Sequence, residues 1–323
     1  MNAVLLIDKP PALTSHDVVN RVRRILGQRS VGHLGTLDPL ATGVLPLVIG
    51  NLTRLAQFYT GSEKTYEGVI RFGFATDTYD ADGEPIGPPQ QVKVSLEEIR
   101  ELAGRFRGVI QQMPPPFSAK KIRGVRAYKL ARKHKEVLLT PVQVEIKEFD
   151  ILSLSHVEEE KDASQKLLPG NGSAQQTGQG TRVSFRARVA SGTYMRSVAN
   201  DMGQLLACGA HLESLRRTSV AEFDLRDAHS LEEVEAAEHE GCVEDLFVHP
   251  RKLLPQLPAV TADEESAARI RSGRTVNLPE MSQARLVRVF YGQRELIAIA
   301  TRVAGTLFHA RIVLAGSSFA RCH

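Results

Sequence analysis

Apolar positions along the chain follow two periods, and most of its length can be assigned to one or the other. Ala3 to Ile7 is an unbroken apolar run that predicts a short buried strand. Behind it, Val18, Val19, Val22, Ile25 and Leu26 recur at helical spacing, and Thr14 or Ser15 is suited to cap that helix. Val44 to Ile49 predicts a strand and Leu52 to Tyr59 a helix. Thr65 to Phe74 predicts a strand whose apolar side chains recur around Tyr66, Ile70, Phe72 and Phe74. Ser95 followed by Glu98 is a capping box, opening a helix that runs to about Phe106. Val142 to Leu154 and Thr181 to Val189 predict strands, the second with Val183, Phe185, Ala187 and Val189 alternating toward one face. Helices are expected over Tyr194 to Cys208 and after Ser230.

Two stretches break the pattern. Val31 to Pro46 holds Gly32, Gly35, Gly43, Pro39 and Pro46, the composition of a loop. Glu158 to Gly180 has almost no apolar residues and reads as a hairpin loop extended by a polar, mobile insertion. The texture changes again past Pro250. A helix around Ala262 to Ile270 is followed by strands over Arg285 to Phe290, Glu295 to Arg302 and Thr306 to Leu314, which describes a small barrel or sandwich. A domain boundary near residue 250 follows, with domains 1–250 and 251–323.

Composition narrows the class. Hydrophobic residues are 42% and charged residues 24% of the 323, with mean hydropathy −0.18, ordinary for a globular protein. No apolar run approaches the ~20 residues of a membrane span. Cys208, Cys242 and Cys322 are odd in number and widely spaced, so neither a disulfide framework nor a cysteine zinc site is indicated, and a reducing cytoplasm fits best. Net charge is only +4, but it is segregated. Ser118 to Lys135 carries eight basic residues and no acid, among them Lys120 and Lys121, whereas Asp227 to Pro250 carries eight acids and no Lys or Arg. Such separation suggests one face that meets a polyanion and another that stays in solvent.

Candidate chemistry is sparse. GHLGTLDPLATGVLP holds one carboxylate, Asp38, which Pro39 biases toward an extended backbone. By local features it reads first as an Asp-Pro turn; the functional alternative is a solitary nucleophilic carboxylate, since no adjacent His, Cys or second acid offers a triad or a glycosidase pair. TDTYDADGE, from Thr76, fails as a calcium loop, with Thr78 at the first ligand position and Pro89 at the last, and reads as a solvated or strand-ending acidic turn. Neither zinc-type His spacing nor a nucleotide-binding glycine motif is found. Tyr194 and Arg196 sit where a strand passes into a helix, a place for an ordinary surface Arg or for one aimed at a catalytic Asp.

Taken together, DKPPALTSHDVV, GHLGTLDPLATGVLP, KTYEGVIRFGFATDTYDADG, SAKKIRGVRAYKLAR, SGTYMRS and LRRTSV resemble, in order, the TruB family of tRNA pseudouridine synthases, which isomerise uridine 55 in the T-arm. The similarity covers about residues 3–225, and the last part more loosely resembles a PUA domain, a small RNA-binding module. The resemblance implies an α+β fold: a pseudouridine-synthase catalytic domain with a mixed, largely antiparallel sheet, then a β-rich PUA-like domain. It implies Asp38 as catalytic aspartate, Tyr66 as the aromatic that stacks on the target base, and Arg196 as the partner of the aspartate. His33 corresponds to a residue filling the space left by flipped bases, and Tyr194 and Leu215 to residues lining the uridine pocket. No cofactor or metal is implied, the partner is tRNA without a required protein partner, and the chain is expected to be a cytoplasmic monomer. Ala12 departs from the family's pattern, where Gly is commoner, and the 158–180 insertion is longer than a simple hairpin. Two rival readings are a tRNA-binding or folding protein without chemistry, against which Asp38, Tyr66 and Arg196 together count, and a dyskerin-like synthase directed by guide RNA, although the long Lys-rich tails of the eukaryotic form are lacking.

Overall fold

The computed structural model describes residues 1–116, 121–122, 125–126, 140–157 and 180–314. The chain opens with β1 (Ala3–Lys9), α1 (Ser15–Ile25), β2 (Val31–His33), β3 (Thr42–Ile49) and a short α2 (Ala56–Tyr59). It continues through β4 (Lys64–Phe72), the small pair β5 (Ala75–Thr76) and β6 (Pro85–Ile86), α3 (Leu96–Gly104), β7 (Gly108–Gln112), β8 (Lys121–Ile122) and β9 (Val125–Arg126). The long strands β10 (Val142–Val157) and β11 (Gly180–Val189) follow, then α4 (Met195–Leu205), β12 (Ala210–Val220), β13 (Phe223–Asp224) and α5 (Leu231–His239). The last elements are β14 (Ala259–Ala262), α6 (Glu264–Arg271), β15 (Val276–Asn277), β16 (Leu286–Tyr291), β17 (Glu295–Ala304) and β18 (Leu307–Val313). This is an α+β fold, as expected.

The described chain divides into two compact units, one of residues 1–62 with 218–323 and one of residues 63–217. In the first, β1 lies antiparallel to β3 from Ala3 opposite Ile49 to Lys9 opposite Gly43, and β2 also pairs with β3. A five-stranded sheet, ordered β14–β16–β17–β18–β15, is built around Val287, Val289, Ile297 and Phe308 with Ala267 and Ile270 of α6. Its β14/β16 pair is parallel. A second cluster joins the outer face of this sheet to the N-terminal strands: Phe290, Leu296, Ile299 and Leu314 pack with Val4, Leu6, Val44 and Val48, with Leu253 and Leu254 among them. Polar bonds pin the same junction. Glu222 accepts from the Tyr59 hydroxyl (2.6 Å) and the Leu254 amide (2.8 Å), and the buried Arg288 guanidinium donates to the carbonyls of Arg251, Leu253 and Leu257.

In the second unit the sheet runs β12–β4–β11–β10–β7. Strand β4 pairs antiparallel with β11 from Lys64 opposite Val189 to Phe72 opposite Thr181, and β10 pairs with β11 through two register shifts. Alternation puts Lys64, Tyr66, Gly68, Ile70 and Phe72 on one face of β4, where Tyr66, Ile70 and Phe72 are buried. At Gly68 a Cβ would lie 2.5 Å from the Ser214 carbonyl and 2.9 Å from the Phe185 ring, so glycine is what lets the backbones approach. Helix α4 packs against β4.

Several elements differ from the sequence reading. Leu52 to Tyr59 is a 3-10 turn leading into four helical residues rather than one helix. Val31–His33 is a strand inside the stretch read as loop, because it adds to the open edge of β3. Ala210–Val220 is a full strand that the pattern did not announce. Most of the basic segment Ser118 to Lys135, including Lys120, and the insertion up to residue 179 lie outside the described residues, as does Cys322.

Candidate active site

The Asp38 loop is fixed from behind by β1 and α1. Lys9, at the end of β1, has no exposed surface, and its ammonium donates to the carbonyls of Leu13 (2.6 Å), Pro10 (2.8 Å) and Pro39 (3.2 Å). A buried cation is stable only when such acceptors replace its water. The Pro39 carbonyl also accepts from the Ala12 amide at 3.0 Å. Ser15 does the same work on the other side: its hydroxyl accepts from the Leu37 amide (2.8 Å) and donates to the Leu37 carbonyl (3.1 Å). Thr14, not Ser15, caps α1 through a capping box with Asp17, which leaves the Ser15 hydroxyl for the loop. The backbone on either side of Asp38 is thereby held, and Leu34, Leu37 and Ala41 of the same loop are buried. The loop closes with an Ala41 amide to Asp38 carbonyl bond of 3.1 Å. Asp38 and His33, the last residue of β2, are both half-buried. The DKPPALTS stretch therefore contributes scaffold: it bends through Ala12, whose φ of 65° lies in the left-handed region.

In the 63–217 unit, Arg196 stands in the first turn of α4, 5% exposed, with its guanidinium 3.3 Å from the Asp80 carboxylate and donating to the Thr78 carbonyl at 3.1 Å. Asp80 is as buried as its partner and also accepts from the Thr78 hydroxyl (2.5 Å) and the Asp82 amide (3.2 Å). The acidic turn is thus not a solvated one at this position. It is clamped to the start of β12, where Ala81 N–H donates to Leu212 and Leu212 N–H to Tyr79, both at 3.0 Å. The adjacent His211 is buried with its Nδ1 3.1 Å from the Phe74 carbonyl and its ring stacked obliquely on Phe74; burial holds its pKa below the ordinary value.

Tyr194 caps α4, and its peptide is bracketed by the buried Gln112 amide, which accepts from its N–H (2.8 Å) and donates to its carbonyl (3.0 Å). The Ser197 hydroxyl bonds the Met113 carbonyl at 2.7 Å, so the helix start is docked on the end of β7. Tyr66 is 9% exposed, and its hydroxyl accepts from the fully buried Arg217 guanidinium of β12. Leu215, two residues earlier on that strand, is half-buried. Among the described residues no three His, Cys, Asp or Glu side chains cluster as a metal set would. The first unit thus presents a half-buried carboxylate, Asp38, on a loop whose backbone is held by Lys9 and Ser15, and the second a buried aromatic, Tyr66, with the buried cations Arg196 and Arg217. The sequence reading singles out none of Lys9, Asp80, Gln112 and Arg217, and Ser15 only as a candidate helix cap.

A family model described as the N-terminal domain of TruB family pseudouridylate synthase matches residues 23–195, and a model of the tRNA pseudouridylate synthase B C-terminal domain matches residues 196–255. The chain belongs to the TruB family. Curated relatives agree over nearly the whole length: a tRNA pseudouridine synthase B of Solibacter usitatus is 45% identical, covering 97% of this chain and 100% of the relative. One of Aquifex aeolicus is 36% identical over the same shares. Among solved structures, an H/ACA RNP bound to a substrate RNA containing 2′-deoxyuridine matches with TM-score 0.66 at 21% identity, covering 97% of this chain and 85% of that one. A Cbf5-Nop10-Gar1 complex matches with TM-score 0.63 at 24% identity, covering 94% and 79%. At these identities the two structures bear on the fold, which is that of TruB.

Proposed function

We propose that this chain is a tRNA pseudouridine synthase that isomerises uridine 55 of the T-arm with Asp38 as nucleophile. The observation that supports the reading is the loop around Asp38, whose backbone on both sides of that residue is held by the buried Lys9 and Ser15. A uridine stacked in an RNA arm is flipped out at a cost of a few kcal/mol. The Tyr66 face, through base–aromatic stacking of about 1–3 kcal/mol, offsets part of that. Asp38 then forms a covalent adduct that divides glycosidic cleavage and C–C bond formation into separate steps. Arg196, aligned by Asp80, keeps the nucleophilic carboxylate ionised and oriented. Tyr194 and Leu215 line the uridine pocket, and His33 fills the gap the flipped bases leave. Lys120 and Lys121 contact phosphates as part of the basic segment. Residues 1–250 form the catalytic domain and 251–323 a PUA-like RNA-binding module. No helix among the described residues is long and apolar enough to cross a membrane. The reading has the enzyme acting in the cytoplasm as a monomer on bare tRNA, without cofactor, guide RNA or partner protein.

The test is incubation of purified protein with a tRNA transcript and mapping of pseudouridine, in parallel with Asp38→Asn. Asn matches the size but is a far poorer nucleophile. The variant is expected to bind tRNA with near wild-type affinity, because phosphate contacts and stacking dominate binding, and to form no pseudouridine. Isomerisation by Asp38→Asn at the wild-type rate overturns the nucleophile. Binding without isomerisation by the wild-type protein turns the reading into that of an RNA-binding protein.

A further inference from the structure

Helix α4 starts without the device that starts its neighbours. The N-cap residues Thr14, Ser95, Ser230 and Asp263 each accept a first-turn amide into their own side chain, whereas Tyr194, at the same position of α4, makes no side-chain cap bond. What holds this start comes from another element. Gln112, the last residue of β7, is 1% exposed, and its side-chain amide meets both polar groups of the Tyr194 backbone, accepting from the N–H at 2.8 Å and donating to the carbonyl at 3.0 Å. Tyr194 is extended, with φ −105° and ψ 109°, so its N–H and C=O point the same way and the amide pairs with them as an opposing strand residue would. Only one orientation of the amide satisfies both, its oxygen on the N–H and its nitrogen on the carbonyl. Gln112 is fixed in turn by the sheet, where it stands opposite Val142 of β10.

We propose that Gln112 is a positioning residue of the isomerisation, which acts by aiming the Tyr194 side chain at the uridine. The inference rests on the function proposed above, in which Tyr194 lines the uridine pocket. The direction of a Cα–Cβ bond is set by the N, Cα and C atoms of its own residue, and Gln112 holds the peptide groups on both sides of the Tyr194 Cα. The helix alone does not do this. Its first bond, from the Val198 amide at 3.2 Å, engages the Tyr194 carbonyl, but the Tyr194 N–H lies ahead of the helix and has no intrahelical acceptor. An apolar side chain at position 112 would fill the same space and leave that N–H without the Gln112 oxygen. The rest of the helix start is held independently. Ser197 donates to the Met113 carbonyl at 2.7 Å, and Arg196 reaches Asp80 and the Thr78 carbonyl, so α4 stays docked when the amide is removed and the loss falls on Tyr194.

The experiment uses full-length protein and a tRNA transcript, with isomerisation followed in single turnover at saturating enzyme and tRNA binding measured separately. Gln112→Met keeps the length of the side chain and removes both bonds. It is expected to react about 10–10²-fold more slowly, the effect of a misplacement of about 1 Å, while tRNA affinity stays within a few-fold of wild type. Gln112→Glu tests the hydrogen bonds themselves. As a carboxylic acid it offers one acceptor and one donor, like the amide, and as a carboxylate it has no donor for the Tyr194 carbonyl. At about pH 5.5, where a carboxyl so deeply buried is protonated, it is expected to approach the wild-type rate measured at the same pH. In a Tyr194→Leu background, Gln112→Met is expected to cost almost nothing further, because the side chain it aims is gone. A wild-type rate in Gln112→Met, equal losses of rate and affinity, a Gln112→Glu protein as slow as Gln112→Met at the low pH, or additive losses in the double variant overturns the proposal and leaves the functional reading standing. A wild-type protein that binds tRNA without isomerising it overturns the functional reading, and this inference with it.

Discussion

Lys9 offers the sharpest test of how the Asp38 loop is held. Lys9→Met preserves the aliphatic stem and removes the ammonium with its bonds to the Pro10, Leu13 and Pro39 carbonyls. In the wild type those charge-assisted bonds balance the desolvation of a buried cation, a cost of several kcal/mol, so the lysine by itself is close to neutral in stability. The variant differs in what it leaves behind. The Pro39 carbonyl retains the Ala12 amide, but the Pro10 and Leu13 carbonyls lose the Lys9 donor. Each of these two half-buried acceptors left bare costs up to about 1–3 kcal/mol, so the loss is about 2–6 kcal/mol at most. Thermal melting should show this as a fall in Tm of about 5–15 °C. The loop, now free to shift by a fraction of an ångström, should give slower pseudouridine formation in single turnover while tRNA affinity changes little, since reaction depends on position far more steeply than binding does. A Lys9→Met protein that melts and reacts like wild type would refute the claim that this cation organises the loop.

Ala12→Gly should stabilise the protein, by something under about 1 kcal/mol: the left-handed conformation costs an L-residue about 1–2 kcal/mol, and glycine returns part of that in unfolded-state entropy. A lower Tm in the glycine variant would contradict this. Asp80→Asn keeps the acceptor toward Thr78 and Asp82 but leaves Arg196 without this carboxylate, so the rate of pseudouridine formation should drop well before tRNA binding does, as read by single-turnover and filter-binding assays. His211 is held neutral in the fold, with a pKa below its ordinary 6.5. The unfolded chain therefore binds the extra proton first as pH falls. The stability this group confers is whole above pH 6.5 and is lost below it, as pH falls toward the folded pKa. Melting curves of His211→Gln from pH 7.5 to 5 should lose that part of the slope; an unaltered slope would show that His211 does not carry it.

What was legible in the sequence was whatever depends on near neighbours. The capping boxes at Thr14, Ser95 and Ser230 sit where helices begin, and β4 and β11 show their alternation because one face of each packs on apolar side chains. Strand β12 was missed for a physical reason: AHLESLRRTSV places Arg217, a charged residue, at a fully buried position, so its pattern does not alternate. Asp80 was missed for a related one. A carboxylate is buried only when its counter-charge is supplied, and Arg196 comes from a helix far along the chain. The surplus of carboxylates and hydroxyls in TDTYDADG was the available signal. Lys9 and Ser15 lay within a motif already noted, yet their targets are backbone atoms, which leave no trace in residue identity.

The pairing at the end of the β10/β11 ribbon has a practical side. Val157 lies directly opposite Gly180, so the chain departs from and re-enters the sheet at neighbouring positions, about 5 Å apart in Cα. Whatever is spliced between those two residues meets a fixed pair of anchor points, and doubling its length adds only about 0.6 kcal/mol of closure entropy. The hairpin is accordingly a natural port for an affinity tag, a fluorescent reporter or a second RNA-binding module, carried by the catalytic scaffold without lengthening any other connection.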